Sequence, residues 1–162
     1  MMIKKHRILS TIPAIIIMIV IFCFSNQKAA ESSKLSGGII ETIFSINERL
    51  FSLELPKAER IYWLELLETI VRKAAHMTEY GLLAIAVSYS FYVYDKRGFN
   101  LILWSEIVAV LYAVTDEFHQ LFISGRSAQV TDILIDGIGA FIGCLVFYFS
   151  CKKLRKYYND KG

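Results

Sequence analysis

The sequence predicts an all-α membrane protein of four transmembrane helices, with an extracellular segment of one or two amphipathic helices between the first and the second. Three observations lead there. Hydrophobic residues make up 55% of the 162 residues and charged ones 20%, with a mean hydropathy of +0.45. A globular chain sits nearer a quarter charged, so the surplus apolar surface needs a solvent other than water. The apolar residues gather into four runs close to the roughly 20 residues that a helix needs to cross a bilayer. The basic residues stand in tight clusters at those ends of the runs that an alternating topology puts on one side. At this length a single membrane domain, 1–162, accounts for the chain.

The first span covers about 8–24, ILSTIPAIIIMIVIFCF, and follows the basic start KKHR. A cleavable leader would begin in the same way. Its exit argues otherwise, because the position three before a cut near QKAAES is Lys28, where a small residue is needed. A lipoprotein reading of Cys23 fails on the preceding Phe22. A retained helix is expected. Segment 25–73 is extracytoplasmic in this reading. Ser32, Ser33, Ser36, Gly37 and Gly38 mark a flexible beginning. Ile39, Ile40, Ile43, Phe44, Ile46, Leu50 and Phe51 then recur at helical spacing, and a second amphipathic stretch runs from Ile61 to Val71. These lie flat on the membrane, cap the bundle, or pack on each other.

The second span covers about 74–94 and closes at DKRGFN; the third covers 101–122; the fourth covers 133–149 and closes at CKKLRKYYNDKG. Each is helical, because hydrocarbon offers no partner to an open strand. Four spans place both termini and the 95–100 turn together. That side carries Lys4, Lys5, Arg7, Lys96, Arg97, Lys152, Lys153, Arg155 and Lys156, so it is expected to be cytoplasmic. The net charge of +3 is too small to argue for nucleic acid, and none is expected as a partner. Cys23, Cys144 and Cys151 have no metal-ligand spacing and read as small apolar side chains.

The ionisable residues inside the spans carry the functional argument. Glu79 lies sixteen residues from Asp95, Asp116 fifteen from Leu101, and Asp136 sixteen from Lys152. At about 1.5 Å per residue, each carboxylate stands roughly 22–24 Å up a core about 30 Å thick. Helical spacing puts Lys73, His76, Glu79 and Tyr80 on one face, and Tyr112, Asp116, His119 and Gln120 on another. Glu117 points about 100° from Asp116. Asp132 and Asp136 share a face with Ala140 and Gly143, and Gly139 with Gly143 forms a small-xxx-small pair that admits another helix. A charge in hydrocarbon costs at least about 2.5 kcal/mol on insertion scales. Lys73, His76, His119 and Arg126 are available as compensation. The expectation is one shared polar pocket at the outer ends of spans two, three and four. The alternative is a set of buried ion pairs that only fix helix register. The turn ISGRSA, 123–128, is likewise either part of the site or simply a turn made by Gly125. Glu106, one turn into the third span, is expected to snorkel to the cytoplasmic side.

Two stretches, RKAAHMTEYGLL at 72–83 and DEFHQLFISGRSAQVTDILIDGIGAFIG at 116–143, resemble the VanZ-like family of bacterial membrane proteins. FSNQKAAESSKLSGGI at 24–39 is similar to the segment that follows the family's first helix. The resemblance implies a small multi-pass protein of the bacterial cytoplasmic membrane. The family is named for a member linked to teicoplanin resistance. By motif position, its characteristic polar residues are His76, Glu79, Tyr80, Asp116, Glu117, His119, Gln120, Gly125, Arg126, Asp132 and Gly139 here. Asparagine is common in the family where this chain has Asp136, so a hydrogen-bonding role carries over to that position and an essential charge does not.

Three functions compete. The first is binding of a membrane lipid or lipid-linked cell-wall precursor at the outer pocket by Lys73, Tyr80, Gln120, Arg126, Asp132 and Asp136, with an effect on lipoglycopeptide susceptibility. The second is hydrolysis or transfer on an envelope lipid. His76 or His119 would act as base, a protonated carboxylate among Glu79, Asp116 and Glu117 as acid, and Arg126 or Lys73 would hold a phosphate. No cofactor is required. A divalent metal on Glu79, Asp116, Glu117 and His119 is a variant whose spacing, DExxHQ, matches no zinc-protease motif. The third is proton relay, which the cytoplasmic halves of the spans support poorly.

Overall fold

In the computed structural model, residues 2–51 and 56–159 are described, and all their regular structure is helical. The order is α1 (Met2–Leu9), α2 (Ile12–Ser25), α3 (Ala29–Phe51), α4 (Lys57–Val93), α5 (Gly98–Gln120) and α6 (Val130–Asn159). Among the described residues, three stretches are long and apolar enough to cross a membrane: His6–Ser25, Gly98–Gln120 and Val130–Tyr157. α4 is not one of them, although a span at 74–94 is expected from the sequence. His76, Glu79 and several serines and tyrosines dilute its apolar run. Its place in the bundle explains the composition. α4 touches α2, α3, α5 and α6, and Tyr80, Leu83, Ala84 and Val87 are buried in the core. A helix enclosed by other helices need not present an apolar surface on all sides.

The first span is broken near its start. Pro13 lies in the first turn of α2, where its missing N–H costs nothing. Ser10 and Thr11 turn their hydroxyls back to the Arg7 and Ile8 carbonyls. The break is fastened to α4 by the Ser90 hydroxyl, which donates to the Ser10 carbonyl at 2.7 Å.

Segment 25–73 differs from the expectation in two ways. Its serine- and glycine-rich beginning is helical, part of the 23-residue α3. Hydroxyls of Ser36, Thr42 and Ser45 bond back to the carbonyls four residues earlier. Ser36 and Ile40 are buried, while Leu35, Ile39, Ile43, Ile46 and Leu50 form an exposed stripe. The second amphipathic stretch, 61–71, is not a separate helix but runs unbroken into the rest of α4. The two helices are clamped by Arg60, which bonds Glu41 and Glu48 and lies over the Phe44 ring. The hydrogen bond to Glu41 is the first cause of the raised Arg60 pKa.

α4 and α6 meet through glycine. A Cβ built on Gly139 would lie 2.8 Å from the Met77 carbonyl carbon, and one on Gly143 would lie 2.9 Å from that of Gly81. Both are closer still to the oxygens. The small-xxx-small pair therefore admits α4, with the two backbones in direct contact. The α4–α5 turn uses positive φ at Asp95 (67°) and Gly98 (59°). Glu106 does not snorkel as expected. Its carboxylate is 3.9 Å from the Cys144 sulfur on α6, facing the interior.

Candidate functional site

The site is built on three walls. On α4, Lys73 donates to Asp132 Oδ1 of α6 at 2.8 Å, and both side chains are about one-third exposed. One turn along, His76 Nδ1 is 3.9 Å from Glu79 Oε2, too long for a hydrogen bond. Tyr80 is fully buried, its ring 6.2 Å from that of Tyr112.

On α5, Asp116, Glu117 and Gln120 are all buried. They leave the helix in different directions. Gln120 Nε2 donates to Asp116 Oδ2 at 3.1 Å, one turn apart on one face. Glu117, about 100° round the helix, accepts the Gln129 N–H at 2.9 Å and fixes the start of α6. His119 turns the other way. Its ring stacks 4.8 Å from Phe22 of α2, so it does not join the cleft lining. Tyr112 donates to the Met18 carbonyl at 2.6 Å and tethers α2.

The third wall is the 121–129 loop with the first turns of α6. Gly125 takes φ +79°, a conformation open to glycine at little cost. Arg126 Nε donates to the Gln27 carbonyl at 3.0 Å, and its other nitrogens reach the Phe24 carbonyl and Gln120 Oε1 at 3.5 and 3.4 Å. Arginine thus caps α2, whose last carbonyls have no intrahelical donors. Burial lowers the Arg126 pKa, Arg72 adds to the lowering, and Asp116, Glu117 and Glu79 oppose it.

These walls enclose a cleft of about 80 Å³. Arg72, Lys73 and Arg126 line it with Glu117, Asp132 and Asp136. His76 and Gln120 also face it. Glu79, Tyr80 and Asp116 are not on its surface, yet they adjoin it. Glu117, Asp116, Asp132 and Glu79 all stand close enough to Asp136 to act on it electrostatically. The three carboxylates placed at one depth by counting do come together. Asp136 is 2% exposed. Its Oδ1, Asp116 Oδ1, Glu79 Oε2 and the Tyr80 hydroxyl are buried without a hydrogen-bond partner. A buried polar atom left unpaired costs roughly 1–3 kcal/mol, and of these four only the Asp136 oxygen belongs to a residue that lines the cleft.

The metal variant finds no support in this geometry. Among the described residues, no three of His, Cys, Asp and Glu come close enough together to hold an ion. Asp116, Glu117 and His119 share one helix and diverge with its period, toward Gln120, Gln129 and Phe22. Arg72 also lines the cleft, although the sequence pattern alone does not single it out. It lies one turn before His76, and that i, i+4 relation was the available signal.

No curated protein and no solved structure matches the chain. The model of the VanZ/LLP1 family matches residues 11–151. The match takes in α2 through most of α6, and with them every residue of the cleft, so the chain belongs to the VanZ/LLP1 family.

Proposed function

We propose that this protein binds the polar head of a membrane lipid or lipid-linked cell-wall precursor in its cleft, at the outer leaflet of a bacterial cytoplasmic membrane. In this reading α4 is a fourth crossing, packed against α2, α3, α5 and α6 and exposed along a stripe that includes Leu82 and Tyr89. Both termini are cytoplasmic, and α3 with the first turns of α4 lies outside. The observation that carries the proposal is the cleft itself: paired and unpaired charges from α4, α6 and the loop around buried polar atoms that lack partners. Ionisable groups kept inside a membrane bundle at such cost mark functional sites. Occupancy of the head-group site would alter how lipoglycopeptides such as teicoplanin reach their targets.

Two experiments test it. Native mass spectrometry of the chain, extracted gently from its membrane, should show a co-purifying lipid that Arg72→Gln removes; a lipid-free spectrum overturns the proposal. Deletion and overexpression should shift teicoplanin susceptibility in opposite directions; an unchanged susceptibility in both removes the resistance role.

One observation favours a second reading, in which the protein hydrolyses or transfers an envelope lipid. His76 stands beside Glu79 at the cleft, close enough to become an acid–base pair after a small side-chain rotation. Incubation with a bacterial lipid extract should then deplete one species, and His76→Asn should stop it. An unchanged lipid pool excludes this chemistry.

A further inference from the structure

The cleft lining brings both signs of charge together. The cations Arg72 and Lys73 stand on α4 and Arg126 on the loop; the carboxylates Asp132 and Asp136 stand on α6 and Glu117 on α5. Three positive and three negative side chains leave the lining near neutrality. A guest with only negative charge would meet three carboxylates, and a guest with only positive charge would meet three cations. A guest carrying both signs could set each against its complement.

Most of these groups already have partners. Lys73 bonds Asp132, Arg126 bonds the Gln27 carbonyl just past α2 and reaches that of Phe24, and Glu117 accepts the Gln129 N–H. Among the described residues, Arg72 has no hydrogen bond or ion pair, and Asp136 Oδ1 has no hydrogen-bond partner although the residue is only 2% exposed. Among the described residues of the lining, Arg72 on α4 and Asp136 Oδ1 on α6 are thus left for a guest. The space between is small. A cleft of about 80 Å³ suits a small polar head.

We infer that the cleft selects a phospholipid head carrying a phosphate and a primary ammonium, of the phosphoethanolamine type. The phosphate sits on Arg72 and the ammonium on Asp136. This rests on the reading of the cleft as a lipid head-group site. Guanidinium is the better phosphate binder because its fork meets two oxygens at once. A primary ammonium donates to a buried carboxylate oxygen, whereas a quaternary one has no N–H to give. The site thus distinguishes ethanolamine from choline by a hydrogen bond and from glycerol by a charge.

The test uses the full chain in nanodiscs of otherwise inert lipid, doped in turn with phosphatidylethanolamine, phosphatidylglycerol or phosphatidylcholine, and read by native mass spectrometry and thermal shift. Phosphatidylethanolamine should be retained about tenfold over both others, the scale of one charged hydrogen bond. Arg72→Gln should weaken phosphatidylethanolamine and phosphatidylglycerol alike, each about tenfold. Asp136→Asn should weaken only phosphatidylethanolamine and so erase the preference. If Asp136→Asn fails to fold, stepwise N-methylation of the lipid amine on the unaltered protein gives the same answer: binding must fall when the last N–H is lost. Equal retention of all three lipids, or a preference for phosphatidylglycerol, overturns the zwitterion inference and leaves the head-group site standing. No retention of any phospholipid overturns both. Displacement of the lipid by free phosphoethanolamine at matching concentration assigns the site to a soluble ligand instead.

Discussion

The α4–α6 crossing makes a prediction that neighbouring glycines of one helix can settle. Carbon atoms in ordinary contact stand about 3.5–4.0 Å apart. A Cβ on Gly139 would be 2.8 Å from both the carbonyl carbon and the Cγ of Met77, and one on Gly143 2.9 Å from the carbonyl carbon of Gly81. Helix backbone cannot swing aside as a side chain can, so Gly139→Ala or Gly143→Ala must part the helices by roughly 1 Å. Overpacking of this kind costs about 1–3 kcal/mol. Gly137 is the control. Its Cβ would meet Val110 Cγ2 at 3.5 Å and Glu106 Oε1 at 3.9 Å, which is normal contact. Gly137→Ala should stay within about 0.5 kcal/mol of the parent. Reversible denaturation of the three variants in mixed detergent, followed by circular dichroism, measures the difference. The reasoning is refuted if Gly139→Ala and Gly143→Ala are as stable as Gly137→Ala.

Further outcomes follow from other contacts. Arg126→Lys removes the fork that holds the end of α2 and should lower stability by about 2 kcal/mol; hydrogen exchange should quicken at residues 22–27, and unchanged exchange would deny the clamp. Tyr112→Phe loses one bond to the Met18 carbonyl and should cost about 1 kcal/mol in the same denaturation assay. Coupling between Lys73 and Asp132, measured in a double-mutant cycle, should stay below about 1 kcal/mol because both side chains are about one-third exposed. Gly37→Ala and Gly38→Ala meet nothing within 4 Å, so each should add about 0.5–1 kcal/mol to the stability of α3.

Much of the bundle was legible because two strong signals carry it. Apolar run length fixed the stretches around α2, α5 and α6, and helical spacing put Lys73, His76, Glu79 and Tyr80 on one side of α4. Counting from the basic ends brought Asp116 and Asp136 to neighbouring positions, since an unbroken helix converts residue number into height. Other features depend on partners that a linear pattern does not contain. The helicity of 32–38 overrides a serine–glycine composition because Ser36 and Ile40 are buried in the fold. The direction of Glu106 depends on α6 passing beside it, and that of His119 on Phe22 from α2. Arg126 read equally well as a phosphate ligand or a turn residue, and only the approach of α2 gave its guanidinium carbonyls to hold.

The absence of any break in α4 has a mechanical meaning. Its 37 residues make a rod about 55 Å long, well over the roughly 30 Å thickness of a bilayer core. The end near Ile61, gripped by α3, and the stretch carrying Arg72 and His76 are one stiff lever, pivoting where Gly81 bears on Gly139 and Gly143. Whatever leans on the α3 hairpin moves one jaw of the cleft relative to the jaw on α6, with no hinge between to absorb the stroke.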